Sequence, residues 1–299
     1  MKKPNMSVHE TDIHDIHLQF LKIVDEQLAG LFRSAFKGHG YELAEIRKYA
    51  PGDEIRMIDW NVTARTGDLY IRQNLEDKEL SVFILVDASA SGLVHSLESS
   101  KQSVITKLAT LLTMLCVRNR DQVSIIKFTD EIEGYLPPSK TASQSIKAIN
   151  LLYKEATHSK KTSIKTALQQ LISLEKKNAL VFLLSDFMDS NYQEELELVS
   201  ELHDLICLQV SDPLDEALPN VGLIEMNAIE SGTSGIINTS NRKLLKKINA
   251  SLREQQGKLH RMLLDVNCEH LKLNANDDAV ISLKHFFSQR KKGRNHVGA

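Results

Sequence analysis

The stretch SVFILVDASAS, residues 81–91, begins with an almost wholly apolar run and then turns polar. A second stretch, ALVFLLSDFMD at residues 179–189, repeats this arrangement. Runs this short and this apolar are typical of central parallel strands that helices cover on both faces. In an open α/β sheet, ligands bind outside the carboxyl ends of such strands, so the polar residues that follow each run carry most of the functional information.

The rest of the chain predicts strands that alternate with helices. Further strands are predicted at 122–128, 131–136, 205–210 and 269–273, and a hairpin at 221–237. Helices are predicted at 97–118, 143–153, 163–175, 191–202, 239–264 and 279–287. This alternation predicts a doubly wound α/β fold with a mostly parallel, Rossmann-like sheet.

The sequence predicts three regions. Residues 1–80 hold one amphipathic helix, over 9–36, and a small lobe of short strands with turns at 51–53 and 66–68. Residues 81–290 form the main α/β domain. Residues 291–299 are expected to be a loose basic tail.

Composition narrows the class of protein. The chain has 299 residues, is 42% hydrophobic and 25% charged, and has a net charge of -2. Such a balance indicates neither nucleic acid nor a membrane surface as partner. The N-terminal segment has no apolar run, and nothing approaches the ~20 apolar residues that span a bilayer. Three widely spaced cysteines fit reduced core residues, so we expect a cytoplasmic protein without a membrane span.

Oxygen-bearing side chains after the apolar runs suggest a metal site. Asp87, Ser89 and Ser91 alternate in one loop, Asp186 follows the second run, and Thr162 precedes a predicted helix. Magnesium favours such hard oxygen ligands, and manganese or calcium would also accept them. The alternative is that these residues cap helices by accepting backbone N–H bonds, with Asp189 competing with Asp186.

This set of residues resembles the metal-ion-dependent adhesion site of von Willebrand factor A domains. The shared pattern is Asp87-x-Ser89-x-Ser91, then Thr162 ahead of a helix, then Asp186 ending a later strand. The resemblance covers about residues 80–290 and implies a von Willebrand A-like domain that binds magnesium and docks a partner. Lys160-Lys161 stand where glycines usually precede the threonine, and Gly92 replaces a frequent methionine.

A second resemblance covers nearly the whole chain. The segment RKYAPGDEIRMIDWNVTAR, residues 47–65, is similar to the signature of the bacterial family called "domain of unknown function 58". The resemblance implies a von Willebrand A-like protein that works with a MoxR-type AAA+ ATPase on an unknown client. The segment serves either to bind the partner or to anchor the lobe. The side chains expected to do so are Arg47, Tyr49, Asp53, Arg56, Asp59, Trp60 and Arg65.

These observations predict a magnesium-dependent interaction or adaptor module that acts in chaperone-like assembly and is not an enzyme. The alternative is a metal-dependent hydrolase or phosphotransferase that uses Asp87 and Asp186. A phosphoryl-transfer aspartate would normally be followed two residues later by a second carboxylate, but that position is Ser89. The chain also has no Gly-rich phosphate loop and no H-E-x-x-H or G-x-S-x-G motif.

Overall fold

The computed structural model describes residues 10–36, 45–73, 79–89, 100–154, 161–228, 233–266 and 268–297. The strands are β1 (Glu45–Lys48), β2 (Tyr70–Gln73), β3 (Ser81–Asp87), β4 (Gln122–Phe128), β5 (Ile132–Ser139), β6 (Leu180–Ser185), β7 (Asp204–Ser211), β8 (Leu223–Ala228), β9 (Thr233–Asn238) and β10 (Glu269–Asn274). The helices are α1 (Glu10–Ile23), α2 (Ala29–Phe36), α3 (Trp60–Thr66), α4 (Lys101–Arg118), α5 (Ala142–Tyr153), α6 (Ile164–Ser173), α7 (Gln193–Leu202), α8 (Pro213–Glu216), α9 (Arg242–Asp265) and α10 (Ala279–Val297).

Six strands form the central sheet, in the order β10-β7-β6-β3-β4-β5. All neighbouring pairs are parallel except β4 and β5. The first strand of this sheet, β3, lies in the middle. The chain then adds β4 and β5 on one side of β3 and crosses back to place β6 on the other side. The predicted doubly wound, mostly parallel fold is therefore confirmed, and its switch point lies at the carboxyl ends of β3 and β6.

The edge strand β5 is longer than the sequence predicts. We expected it to end before Pro137-Pro138, but both prolines lie inside the strand. Proline cannot donate a ladder hydrogen bond, which is tolerated at a sheet edge because one side of the strand has no neighbour to accept it. The position of β5 at the edge explains the difference.

The sheet separates two hydrophobic clusters, and this is what the apolar strand sequences require. Along β3, Val82, Ile84 and Val86 point to the face covered by α4, α5 and α10, whereas Phe83 and Leu85 point to the face covered by α6, α7 and α9. Every residue of β6 is buried. A strand buried on both faces loses the alternation of polar and apolar residues and reads as a continuous apolar run.

The N-terminal helical segment shares its core with the sheet domain. Residues 24–28 form a π-helical turn that joins α1 to α2, so the predicted single helix is continuous but locally widened. Val24, Leu28 and Phe32 are fully buried in the cluster on the α4 side of the sheet. The Phe32 ring lies edge-on to that of Phe287, with centroids 5.6 Å apart. This segment therefore groups with the sheet domain and not with the small lobe.

Residues 45–73 form the small lobe. Its strands β1 and β2 pair antiparallel, and a 3-10 turn at Ile55–Met57 leads into α3. Asp59 caps α3 by accepting N–H bonds from Asn61 and Val62. None of the described residues of the lobe belongs to either hydrophobic cluster of the sheet domain.

The last helix extends further than predicted. The sequence pattern ends the helix at Phe287 and predicts a loose tail, but α10 continues to Val297. Arg290 accounts for part of this extension. Its guanidinium lies 4.5 Å from the centroid of the Phe36 ring and forms ion pairs with Asp204 and Glu269. Basic side chains near a helix C-terminus also interact favourably with its dipole.

The three cysteines are free thiols, as expected for core residues. Cys116 and Cys207 are buried, and the Sγ atoms of Cys207 and Cys268 lie 3.8 Å apart. Within the described ranges, no helix has the length and apolar character needed to cross a membrane.

Candidate functional site

Asp87 ends β3 at the switch point and is 2% exposed. Its Oδ1 accepts a hydrogen bond from the backbone N–H of Ser89 at 2.9 Å, which fixes the start of the loop. Its Oδ2 accepts a bond from the hydroxyl of Ser185, the last residue of β6, at 2.6 Å. The ends of the two central strands are thus joined through one buried carboxylate.

Asp186 follows β6 directly and is 3% exposed. Its Oδ1 accepts a bond from the backbone N–H of Met188 at 3.1 Å. Phe187 between them has a φ of 58°, in the left-handed region that bulky residues seldom adopt. Such strained backbone persists only where the surrounding structure enforces it, and it is common at functional sites.

The two carboxylates influence each other electrostatically. Burial raises the pKa of Asp87 from 3.8 to about 6, and repulsion from Asp186 adds to the shift. Hydrogen bonds from Ser185 and Ser89 oppose the rise in this pKa without cancelling it. The ionised form of Asp87 is therefore less favourable here than in water.

A buried lysine, Lys101, lies beside these carboxylates. It is the first residue of α4, and its Nζ is 2.9 Å from Oδ2 of Asp186. The same Nζ is 3.3 and 3.2 Å from the two carboxylate oxygens of Asp215. Burial alone would lower the pKa of Lys101, but attraction to Asp186 and Asp215 outweighs burial and raises it. Lys101 is therefore an ammonium ion shared by two carboxylates.

Thr162 lies on the loop ahead of α6, at the same edge of the sheet. The neighbouring Ser163 donates its backbone N–H to the carbonyl of Thr129, just after β4, and Ile164 donates to Asp189. Ser163, not Thr162, caps α6 with its side chain. Oγ1 of Thr162 is buried and has no hydrogen-bond partner among the described residues. The capping alternative for Thr162 is thus excluded, and its hydroxyl remains available to a ligand.

In the described part of the first loop, neither Asp87 nor Ser89 caps helix α4. Ser100 caps the described helix α4 by accepting from the N–H of Ser103. Asp189 accepts the backbone N–H of Ile164, at the start of α6, and the backbone N–H of Ser190. Ser91 and Lys160, which the sequence placed at the site, lie outside the described residues. Lys161 is exposed.

Sequence reasoning missed Lys101, Ser185 and Asp215. One signal was present for Lys101, because a lysine in the first turn of a helix opposes the helix dipole and requires compensation. Asp215 forms a capping box with Asp212, which fixes its carboxylate. The contact between α4 and this capping box joins residues more than a hundred positions apart, which no local pattern reveals.

The lobe residues that we expected to bind a partner or anchor the lobe have mixed environments. Arg47 and Asp53 form a two-pronged ion pair, with N–O distances of 2.8 and 2.7 Å. Tyr49 is half-buried, and Asp59 is 7% exposed at the start of α3. Trp60 is 65% exposed, which is more than expected of a side chain that anchors the lobe. The other two residues of this set, Arg56 and Arg65, are exposed.

An open cleft of about 1080 Å³ adjoins the loop after β6. Met188 and Asp189 line it on the side of the site, and Gln255, Gln256 and Leu259 of α9 line the opposite wall. The lining of the cleft includes both side-chain amides and apolar groups.

The donor set fits a hard divalent cation. Two buried carboxylates and an unpartnered hydroxyl provide oxygen ligands, and magnesium commonly completes its shell with water. In the described part of the chain no group of three or more histidine, cysteine, aspartate or glutamate side chains is arranged for a metal. A site built partly from hydroxyls does not require such a group. The fold and site define an α/β protein with a candidate cation-binding sheet edge.

The chain belongs to a bacterial protein family, "Protein of unknown function DUF58", whose profile matches residues 45–258. An uncharacterized protein of Mycobacterium tuberculosis is 27% identical over 225 residues, which are 74% of this chain and 70% of the relative. The same figures hold for a protein of Mycobacterium bovis. The matched region includes the lobe and continues to residue 258, within α9.

Several solved structures are similar to parts of the chain. The conserved hypothetical protein BatB from Bacteroides thetaiotaomicron has 16% identity and a TM-score of 0.45, over 71% of this chain and 99% of that one. A von Willebrand factor type A protein from Catenulispora acidiphila has 11% identity and a TM-score of 0.37, over 72% and 43%. Proximal thread matrix protein 1 from the mussel byssus, with a zinc-occupied MIDAS motif, has 16% identity and a TM-score of 0.35, over 44% and 38%. These likenesses are too distant to support a functional conclusion.

Proposed function

We propose that this protein is a magnesium-dependent interaction module that docks a partner at the carboxyl edge of its sheet. The single observation that carries the proposal is the unpartnered, buried Oγ1 of Thr162 at the sheet edge that also holds the Asp87–Asp186 pair. A buried hydroxyl without a partner costs about 1–3 kcal/mol, so its presence favours a ligand that supplies the missing interaction. Magnesium is the ion best suited to the oxygen ligands, ahead of manganese and calcium.

Each residue has a distinct part in this proposal. Asp87 and Asp186 hold the cation by charge, directly or through water, while the hydroxyls of Ser89, Ser91 and Thr162 act as neutral ligands. Hydroxyls and water bind the ion more weakly than carboxylates do, so one coordination position can be taken by a ligand from outside the chain. A carboxylate of the partner then completes the site, and the adjoining cleft receives the flanking segment of the partner.

On the basis of the family resemblance we propose a MoxR-type AAA+ ATPase as the partner, with a client protein handled by the pair. The proposal assigns no catalytic step to the chain. Among the described side chains at this edge, Lys101 is tied to two carboxylates and Ser185 is bonded to Asp87, so neither is a base poised for catalysis.

The test measures magnesium binding and partner binding by the same variants. Titration calorimetry of the full chain with MgCl2 should give one site, and Asp87→Ala should abolish it because a buried anion is lost. Binding of magnesium at a hundred times its dissociation constant should stabilise the wild-type fold by about 2.7 kcal/mol. The same Asp87→Ala protein should fail to retain the ATPase in a pull-down with magnesium present.

Asp130→Ala is the matched control, because Asp130 is an exposed aspartate that follows β4 at the same edge of the sheet. It should leave both magnesium binding and ATPase binding unchanged. If the wild-type chain bound no divalent cation, or if Asp87→Ala retained the ATPase as well as the wild type does, the proposal would be wrong.

A further inference from the structure

Lys101 occupies an unusual position for a lysine, because its charged group is held inside the proposed cation site. The side chain is 4% exposed, and its partner Asp186 is 3% exposed. An ammonium group and a divalent cation cannot share one carboxylate oxygen without strong repulsion. Any cation that uses Asp186 must therefore contend with Lys101.

The two contacts of Lys101 are unequal in length. The bond to Asp186 is 2.9 Å, within the range of a charge-assisted hydrogen bond, whereas both distances to Asp215 exceed 3.1 Å. The Asp215 contact therefore has room to shorten. A lysine side chain has a flexible four-carbon stem, so a small rotation moves its Nζ from one carboxylate to the other.

Asp215 is held ready as the second position for this ammonium. Its Oδ2 accepts the backbone N–H of Asp212 at 2.8 Å, and Asp212 in turn accepts from Leu214 at 2.9 Å. These bonds fix the carboxylate in place at the start of α8. Its side chain is 17% exposed, compared with 3% for Asp186, so an ammonium there lies nearer to solvent.

The three carboxylates of the site carry enough negative charge for both the Lys101 ammonium and one divalent cation. Asp87, Asp186 and Asp215 supply three carboxylates, and Lys101 supplies one ammonium. When all three carboxylates are ionised, two negative charges remain uncompensated in a buried setting. One divalent cation neutralises them, provided that Lys101 has turned to Asp215.

We propose that Lys101 is a tethered counter-ion that blocks Asp186 when the site lacks a divalent cation and moves to Asp215 when one binds. This inference rests on the proposed function, since it concerns the regulation of the same site. Lys101 then keeps the empty site folded and sets a threshold for cation binding. Lys101 and Asp215 are positioning residues that touch the carboxylates and not the partner.

The experiment is a calorimetric titration of the full chain with MgCl2 and, separately, MnCl2. Lys101→Met removes the competing charge but keeps the length of the side chain, and it should tighten cation binding at least about tenfold. Lys107→Met is the matched control, because Lys107 lies on the same helix and forms no ion pair with any described residue. It should bind the cation as the wild type does.

A double-mutant cycle distinguishes two roles of Asp215. Asp215 either receives the Lys101 ammonium, which we call its receiving role, or acts only through its own negative charge. Asp215→Asn keeps an oxygen that accepts the Asp212 N–H. In the wild-type background it should weaken cation binding severalfold, because Lys101 loses its second position. In the Lys101→Met background the same change should have much less effect. An equal loss in both backgrounds would overturn the receiving role.

The remaining outcomes are also decisive. If Lys101→Met binds the cation no more tightly than Lys107→Met, Lys101 does not compete, and this inference fails while the proposed cation site stands. If no variant binds a cation, the proposed site itself is wrong and the inference falls with it. If Lys101→Met does not fold, Lys101→Arg provides a second test. Its guanidinium should hold Asp186 more firmly and weaken cation binding, so an unchanged affinity would count against the inference.

Discussion

Two lysine–aspartate ion pairs in this protein have similar lengths and opposite surroundings. At the sheet edge, Lys101 and Asp186 are 2.9 Å apart, with side chains 4% and 3% exposed. In the lobe, Lys48 and Asp68 are 2.5 Å apart, with side chains 67% and 58% exposed. Water already solvates the second pair, so its contribution to stability is small. The first pair is desolvated, and each ion depends on the other.

The same contrast holds for the aspartates of the two regions. Burial raises the pKa of Asp87 to about 6, whereas hydrogen bonds from Arg47 and the Ala50 backbone lower the pKa of Asp53. The ionised form of Asp87 is therefore less favourable at the sheet edge than it would be in water. In the lobe, the ionised form of Asp53 is instead stabilised by its hydrogen bonds. A raised carboxyl pKa such as that of Asp87 marks functional sites more often than structural ones.

The largest expected effect is that of Lys101→Ala. Removing this ammonium leaves Asp186 and Asp215 buried without their cation, and the free energy of unfolding should fall by about 3–5 kcal/mol. Urea denaturation without divalent cations measures the loss. Lys48→Ala in the lobe should produce no measurable change.

Added magnesium provides a second difference between the Lys101→Ala and Lys48→Ala variants. If the proposed cation site exists, added magnesium should restore part of the stability lost in Lys101→Ala, and it should leave Lys48→Ala unaffected. Equal stabilities of the two variants without magnesium would show that the buried pair has no special role, and the contrast between the two regions would collapse.

The pH dependence should have opposite signs in the two regions. The pKa of Asp87 is higher in the folded chain than the usual 3.8, so its penalty is absent below that pH. The penalty develops as pH rises to about 6, and it should reach on the order of 3 kcal/mol. Asp53 has a lowered pKa, so the stability that it contributes is present above pH 3.8 and is lost as pH falls through its folded pKa.

Asp87→Asn should therefore gain stability relative to the wild type between pH 4 and pH 6, measured by denaturation without divalent cations. Asp53→Asn should lose stability relative to the wild type above pH 4 and match it in stronger acid. Carboxyl NMR titration gives the two pKa values directly. A pKa for Asp87 below 4 would contradict the assignment of a strained carboxylate at the sheet edge.

Most of the fold could be predicted because its signals are local. Apart from Ser81, Asp87 and Ser185 at their ends, strands β3 and β6 are apolar, and they coincide with the two apolar runs that predicted central strands. The end of α10 could not be predicted, because Arg290 is stabilised by Phe36 and by two distant carboxylates. Those contacts depend on the tertiary structure and leave no trace in the periodicity of the helix.

The candidate site could be predicted only in part. Asp87, Ser89 and Asp186 follow buried strands, and parallel strands that are neighbours in the sheet bring their carboxyl ends together. The contributions of Lys101 and Asp215 depend on how α4 and α8 approach this edge, which short-range patterns do not encode. The exposed position of Trp60 could not be predicted either, since tryptophan is usually largely buried.

The smallest expected effect is that of Trp60→Ala. This side chain is 65% exposed, so its removal should lower the free energy of unfolding by less than about 1 kcal/mol. Ile71→Ala is the control within the same lobe, because Ile71 is 2% exposed, and it should cost about 2–4 kcal/mol. Trp60 is the only tryptophan in the chain, so its fluorescence reports this position alone. The emission should resemble that of tryptophan in water and be readily quenched by acrylamide. A protected, blue-shifted emission, together with a loss of stability as large as that of Ile71→Ala, would mean that the lobe is anchored through its tryptophan. Unchanged stability with weaker ATPase binding would instead make the exposed lobe a second contact surface beside the sheet edge.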